Sequence, residues 1–365
     1  MKKKMTYLIW PLLVLTIILG GCGSKDDKRT TETTKNGTFL TEPYSDRQFL
    51  MGTYVQVQIF DEGKEDVLDK VFDRIKELDK KITVSEKGSE VDQINDEAGI
   101  KPVKVSDDVY DLIKEAVYYS KDSDGGFDLT IGPITELWHI GFDDARKPDQ
   151  KEIDEELALV DYKKVKLNDE EHTVFLEEKG MRLDLGAIAK GYITDEAVDV
   201  LKENDVKSGI VDLGGNVYVL GDNPRNESGL WKVGVQDPNE ARNTIVGTVT
   251  EKNKSLVTSG IYERNLEVDG VLYHHLFGST TGYPFENDIA GVTIVSDTSI
   301  AGDGLSTAVF SKGVKGGMEY VERLDEVDAI FVTKEDDIYV SSGLQDNFIL
   351  NDDSPYKIKK IKDLK

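Results

Sequence analysis

The chain has 365 residues, 38% hydrophobic and 8% aromatic, which supplies a substantial core and excludes global disorder. Seventy acidic against 45 basic residues give a formal net charge of -25. That balance excludes nucleic acid as a main partner, because a phosphate backbone demands a basic surface.

The N-terminus reads as a processing signal. Met1-Lys-Lys-Lys4 is a positive start, residues 7–19 are an apolar run, and Leu19-Gly20-Gly21-Cys22 has the form of a lipobox. The run falls short of the ~20 residues that a membrane span needs and contains Pro11. Cys22 is the chain's single cysteine, so an internal disulfide is excluded. Cleavage before it predicts an extracytoplasmic protein, lipid-anchored to the cell membrane through Cys22. Residues 23–38 lack apolar side chains and read as a tether, with globular sequence starting near Tyr44. The expected division is a signal peptide at 1–21, lipidated cysteine and tether at 22–43, and one domain at 44–365.

Within that domain, Tyr54-Val-Gln-Val-Gln-Ile-Phe60 alternates as a half-buried strand. Residues 65–81 show helical spacing, and Ser106 is a plausible cap for a helix to about 120. Residues 124–133 are glycine-rich and fit no regular element. A helix is expected at 153–159, then strands at 174–176 and 181–185. Gly186 breaks the pattern before a helix at 187–204. A strand passing through glycine into a helix aims unpaired N–H groups at whatever sits above the turn, a ready anion site. Lys190, in the first helical turn, opposes the helix dipole and makes more sense beside an anion; the alternative is an ordinary connection with a solvated lysine. Further strands are expected at 209–213, 217–220, 231–235, 245–250, 289–295, 329–333 and 337–341, with helices at 298–311 and 317–324. No regular βαβ alternation appears, so the reading is a mixed α/β protein with one intertwined α+β domain.

Three groups of residues suggest chemistry. Asp303 and Thr307 lie four apart, hence on one helix face, and offer hard oxygens suited to Mg²⁺. The flanking Gly302 and Gly304 imply that something approaches the backbone closely. His274 and His275 precede a Gly- and Thr-rich turn; neighbours on a strand point to opposite faces, so one of them faces a given site. Gly125-Gly-Phe-Asp128 and Asp212-Leu-Gly-Gly-Asn216 are turns whose aspartates could orient a nucleotide. No P-loop, no dinucleotide-binding glycine pattern and no His-Glu-x-x-His motif occurs.

Taken together these segments resemble the ApbE-type flavin transferases (FAD:protein FMN transferases), many of which are lipoproteins. The likeness runs from about Phe49 to Gly313. It rests on Met51-Gly-Thr53, Ser89-Glu90 with Ile94-Asn95, Gly126-Phe-Asp128 with Gly132-Pro133, Leu137-Trp138, Asp184-Leu-Gly-Ala-Ile-Ala-Lys-Gly-Tyr192, Asp212-Leu-Gly-Gly-Asn216, Thr258-Ser-Gly260, Thr281-Gly-Tyr-Pro284, and Asp303 with Thr307. The resemblance implies a T-fold-related α+β domain. It also implies cleavage of the FAD pyrophosphate, attachment of FMN through a phosphoester to a Ser or Thr of an extracytoplasmic acceptor protein, and release of AMP. By the same resemblance Met51, Gly126, Phe127, Asp128, Asp184 and Lys190 line the FAD site, with His274 beside the cofactor. The Ala187 carbonyl, Asp303 and Thr307 would hold Mg²⁺, and His275 would be general base toward the acceptor hydroxyl.

Two departures stand out. Relatives read His-x-x-Asp-Pro before Thr-Gly-Tyr-Pro, where this chain has Gly278-Ser279. An aromatic residue found before Ser89-Glu90 is Ser85 here, so flavin stacking would fall to Tyr262 or Phe277. A Mg²⁺-dependent FAD pyrophosphatase and a non-catalytic flavin-binding lipoprotein are the alternative readings.

Overall fold

The computed structural model describes residues 31–34, 37–84, 87–240 and 244–363. The expected signal peptide, Cys22, the first part of the tether and Ser85 lie outside the described residues. A ten-stranded sheet forms the spine, and its strands lie side by side in chain order: Thr31–Thr34, Gly37–Leu50, Thr53–Asp61, Gly209–Leu213, Asn216–Leu220, Lys254–Gly260, Ile289–Ser296, Asp328–Thr333, Asp337–Val340 and Lys357–Lys359. Every neighbouring pair is antiparallel except the last. The sheet strands begin at Thr31, earlier than the expected start at Tyr44. Phe39 and Leu40 are buried, and the pairing with Thr53–Asp61 shifts register between Phe39 and Tyr44. Pro43 falls inside that irregularity; without an N–H it cannot join the ladder, and a bulge accommodates it.

Between Asp61 and Gly209, neighbours in the sheet, the chain leaves to build one face. Helices Val67–Ile82, Asp107–Asp122 and Ala189–Glu203, joined later by Ser299–Phe310, pack on the sheet through Val55, Val57, Ile59, Val211, Leu213, Val292 and Ile294. Apolar residues at helical spacing on Val67–Ile82 (Val71, Phe72, Ile75, Leu78) are fully buried there. Arg74 bridges Asp108 (2.5 Å) and Glu196 (2.6 Å), tying three of these helices together. A three-stranded sheet, Trp231–Gln236, Ile245–Glu251 and Phe348–Leu350, covers part of the other face through Val235, Val249 and Phe348. Strand Ile289–Ser296 is therefore buried along its whole length.

The expected strand at 181–185 is not one. Arg182 makes a single bridge to Ile131, and the rest of the segment is extended without a ladder. Elements absent from the sequence reading include helices Glu90–Asp96 and Gly132–Trp138, the strand Lys254–Gly260, and a hairpin of Asn265–Val268 with Val271–His274.

Three features place the site at one end of the sheet. Met51-Gly52 closes a two-residue hairpin with φ of 52° and 71°, and Gly214-Gly215 closes another with 59° and 104°. Both central residues with positive φ are the mark of the tight turn whose twist matches paired strands. Because Val55 pairs with Leu213, the two tips are adjacent, and Thr258-Ser-Gly260 extends past Asn216 at the same end.

Candidate active site

The centre of the site is the crossing of helices Ala189–Glu203 and Ser299–Phe310. They meet at Gly191, where a Cβ would lie 2.7 Å from Ile300 Cα and 2.8 Å from Asp303 Cβ. That closeness lets the Gly191 N–H donate to Asp303 Oδ2 at 2.8 Å, while Lys190 Nζ reaches Asp303 Oδ1 at 3.2 Å. Asp303's side chain is 3% exposed and Lys190's 31%, so the lysine brings its charge from the solvent side to a buried carboxylate. The glycines flanking Asp303 are explained within the fold. Gly302 packs on Val257, and Gly304 on the Tyr119 ring.

The same arrangement frees one more oxygen, and Thr307 offers another from the helix that carries Asp303. In a regular helix the Gly191 N–H would bond the Ala187 carbonyl; pointed at Asp303 it leaves that carbonyl without a partner among the described residues. The helix accordingly starts at Ala189, two residues later than expected, after Ile188 at φ −147°. Thr307 is buried, and its hydroxyl makes no hydrogen bond among the described residues. A buried carboxylate, a hydroxyl and an orphaned carbonyl are three hard oxygens. They fit a Mg²⁺ ion that completes its shell with water and phosphate oxygens.

Asp184 begins the turn into this crossing. Its Oδ1 accepts from the Gly186 N–H at 2.8 Å and its Oδ2 from the Thr135 hydroxyl at 2.7 Å. Ahead of it, buried Asn95 does what a strand would do. Its Oδ1 accepts from the Leu183 N–H at 2.7 Å, and its Nδ2 donates to the Leu183 carbonyl at 3.2 Å. Asp128 has a comparable internal duty: it accepts from the Thr130 N–H (2.8 Å), the Thr130 hydroxyl (2.6 Å) and the Tyr162 N–H (3.3 Å). Burial pushes its carboxyl above the usual range despite these donors. Phe127 is buried and Gly126 lies against the Ser311 side chain, so this segment offers a ligand mainly its backbone.

The two histidines divide as strand geometry requires. His274 is 5% exposed and fully engaged: its Nε2 donates to the Phe285 carbonyl at 3.0 Å, and its Nδ1 accepts the Leu276 N–H at 3.2 Å. It therefore has its ring, not a nitrogen, to offer a ligand. His275 is half-buried, and its Nδ1 lies 3.2 Å from the Arg264 carbonyl. A carbonyl accepts only, so that nitrogen carries the proton and Nε2 keeps its lone pair. Burial lowers the His275 imidazole, aided by the positive charges of Arg264 and Lys190.

Ser279, of the Gly278-Ser279 pair after His275, donates its hydroxyl to the Gly125 carbonyl at 2.7 Å. Trp138 Nε1 donates to the Gly282 carbonyl at 3.0 Å, which holds the Thr281-Gly-Tyr-Pro284 turn from the other side. Phe277 is buried against Trp138, with ring centroids 5.7 Å apart, and of the two expected stacking candidates Tyr262 is the more exposed. Met51 sits at its hairpin tip, partly packed on the main core.

The sequence pattern of the ApbE family matches residues 51–331. The FAD:protein FMN transferase of Klebsiella pneumoniae is 39% identical over 299 residues, 82% of this chain and 92% of that protein. The chain belongs to the ApbE family. The FAD:protein FMN transferase of Treponema pallidum is 32% identical over 361 residues, 95% of this chain and 96% of its own. The crystal structure of the ApbE protein of Thermotoga maritima superimposes with a TM-score of 0.76 at 30% identity, covering 83% of this chain and 98% of that one. The apo flavinyl transferase ApbE of Pseudomonas stutzeri gives 0.73 at 27%, covering 84% and 97%.

Three residues around this ApbE-family site carry no sequence signal of their own: Asp195, Thr135 and Arg264. Arg264 meets His275 only because the hairpin pairs Asn265 with His274. Thr135 and Asp195 act across gaps of 49 and 104 residues, which no local pattern records.

Proposed function

We infer that this chain transfers the FMN half of FAD to a hydroxyl of an acceptor protein, releasing AMP. The observation that supports this reading is the helix crossing, where the Gly191 N–H turns to Asp303 instead of the Ala187 carbonyl, Thr307 lies one turn beyond Asp303, and Lys190 is close enough to act on neutral His275. Mg²⁺, held by those three oxygens, would supply charge neutralisation for the pyrophosphate during displacement. Lys190 adds a second positive charge on the solvent side of Asp303, where an anionic substrate would approach. Asp184, Met51, the Gly126–Asp128 backbone and the ring of His274 would line the rest of the FAD site.

The residues then perform a proton transfer and an in-line exchange. The Ser or Thr hydroxyl of the acceptor gives its proton to His275 Nε2 as its oxygen bonds to the phosphorus of the FMN half. The bond from that phosphorus to the bridging oxygen breaks, and AMP leaves with that oxygen. His275 is ready for this role because burial keeps it neutral and the Arg264 carbonyl fixes its Nδ1 proton. The lipobox pattern ending at Cys22 supports an extracytoplasmic, membrane-anchored setting, with extracytoplasmic redox proteins bearing an exposed Ser or Thr motif as acceptors.

The test mixes the soluble domain with FAD, Mg²⁺ and an acceptor domain exposing such a threonine. Mass spectrometry should find FMN covalently on the acceptor and AMP released in equal amount. Free FMN and AMP with a bare acceptor would make the chain a pyrophosphatase, and intact FAD would make it a binder. His275→Ala should slow transfer by about 10²–10⁴-fold while sparing FAD affinity. Asp303→Ala should remove the Mg²⁺ dependence together with turnover.

A further inference from the structure

Asp195 has no part in the chemistry above, yet it is the residue through which one helix of the site holds the other. We propose that Asp195 is a positioning residue: from the Ala189–Glu203 helix it caps the Ser299–Phe310 helix and so fixes Asp303 and Thr307 against the Ala187 carbonyl. This rests on the metal reading of the preceding subsection.

The first N–H groups of a helix need acceptors. At Ser299–Phe310 the expected local source is silent, since Thr298 makes no side-chain cap bond. Asp195 takes over from another element, accepting from the Ser299 N–H at 2.7 Å and the Ile300 N–H at 2.8 Å. One turn away the direction reverses, and Gly191 donates to Asp303. Each helix thus gives one carboxylate and receives one, at contacts a turn apart. Two such contacts fix both the sliding and the rotation of the pair, which a single contact could not do. Asp303 lies one turn beyond the cap and Thr307 two, so slippage at the first turn is carried along the helix to both ligands.

The environment of Asp195 also argues that it is kept for geometry rather than stability. Burial pushes its carboxyl up to about 6 despite the two N–H donors, with Asp199 raising it and Lys202 lowering it. Tyr119 and Tyr218 face it from other elements, both uncharged at neutral pH. A raised carboxyl means the folded state binds the proton more tightly than the unfolded chain does. Stability therefore falls as pH rises from the ordinary 3.8 to about 6, and the ionised group is a net cost at neutral pH.

The experiment titrates the soluble domain with Mn²⁺ alone, without FAD, by the loss of the free-ion paramagnetic resonance signal. Asp195→Asn keeps the shape but accepts only one of the two N–H groups; Asp195→Ala accepts neither. Mn²⁺ affinity should fall by about tenfold in the Ala variant and by less in the Asn variant. Metal-free FAD affinity, read from flavin fluorescence, should stay unchanged, and the Asn variant should melt no lower than the parent at neutral pH. Parental Mn²⁺ affinity in both variants overturns the proposal. So does a fall in FAD affinity matching the fall for Mn²⁺, or a lower melting temperature in the Asn variant. Should the parent itself bind no Mn²⁺, the metal reading fails and takes this inference with it, an outcome distinct from Asp195 failing alone.

Discussion

Gly191 points its backbone N–H at the Asp303 carboxylate, 2.8 Å away on the neighbouring helix, and leaves the Ala187 carbonyl unclaimed among the described residues. One missing side chain thus builds two oxygen donors, by letting the helices touch and by breaking the helical bond that would have used up the carbonyl. Gly191→Ala should therefore do more than destabilise. Its Cβ would overlap Ile300 and Asp303, and overpacking of this kind costs about 1–3 kcal/mol. Urea unfolding should show that loss, and transfer should drop far beyond the fraction of protein unfolded. Parental turnover in a folded Gly191→Ala protein would contradict the crossing as the centre of the site.

As the proposed base, His275 would set the acid limb of the reaction. Burial, with help from neighbouring positive charges, pushes its imidazole from the ordinary 6.5 down to about 4. A general base must be neutral, so the transfer rate should stay level from neutral pH down to about 5 and fall only toward 4. A profile already falling at 6.5 would show an ordinary imidazole and remove burial as the cause. Stability has the matching sign. Between 6.5 and 4 the unfolded chain takes up protons that the folded His275 and His274 refuse, so the fold weakens as pH drops through that window.

The parts of the site legible in the sequence were those with local periodicity. The spacing of Asp303 and Thr307 and the helix after Gly186 follow from 3.6-residue periodicity, and the divergence of His274 and His275 from strand alternation. Residues 181–185 show why the rest was hidden. Met181, Leu183 and Leu185 alternate into the core as a strand would, but the backbone is held by the Asn95 side chain at Leu183 and by the Leu129 carbonyl at Asp184. Burial pattern reports which face is inward and says nothing of who takes the hydrogen bonds. The early start of the sheet was missed for the opposite reason: Phe39 and Leu40 alone mark a strand whose neighbours are polar.

Asn95 yields its own test. Removing its side chain in Asn95→Ala would leave the Leu183 N–H and carbonyl buried without partners, at a cost of about 2–4 kcal/mol. Because Leu183 precedes Asp184, the loss should also appear as weaker FAD binding in the fraction that stays folded. Chemical denaturation with a parallel FAD titration measures both. A variant as stable as the parent would mean that the segment holds itself.

Ser279 offers a test of transfer against hydrolysis. Where relatives carry Asp-Pro, this chain uses a serine hydroxyl to join the His275 turn to the Gly125 carbonyl. A proline would stiffen that turn through its ring; here the stiffness comes from one hydrogen bond, worth about 1 kcal/mol. Ser279→Ala should leave metal binding unchanged, since its hydroxyl bonds the Gly125 carbonyl and none of the three metal-holding oxygens. The turn carrying His275 would then sample more positions, and water would compete better with the acceptor hydroxyl for the phosphorus. The expected result is a several-fold rise in free FMN relative to FMN bound to the acceptor, about what 1 kcal/mol allows. Liquid chromatography of the reaction with acceptor in excess measures that ratio. An unchanged ratio, with the Gly125 amide exchanging no faster, would show that the Trp138 bond to Gly282 suffices to hold the turn.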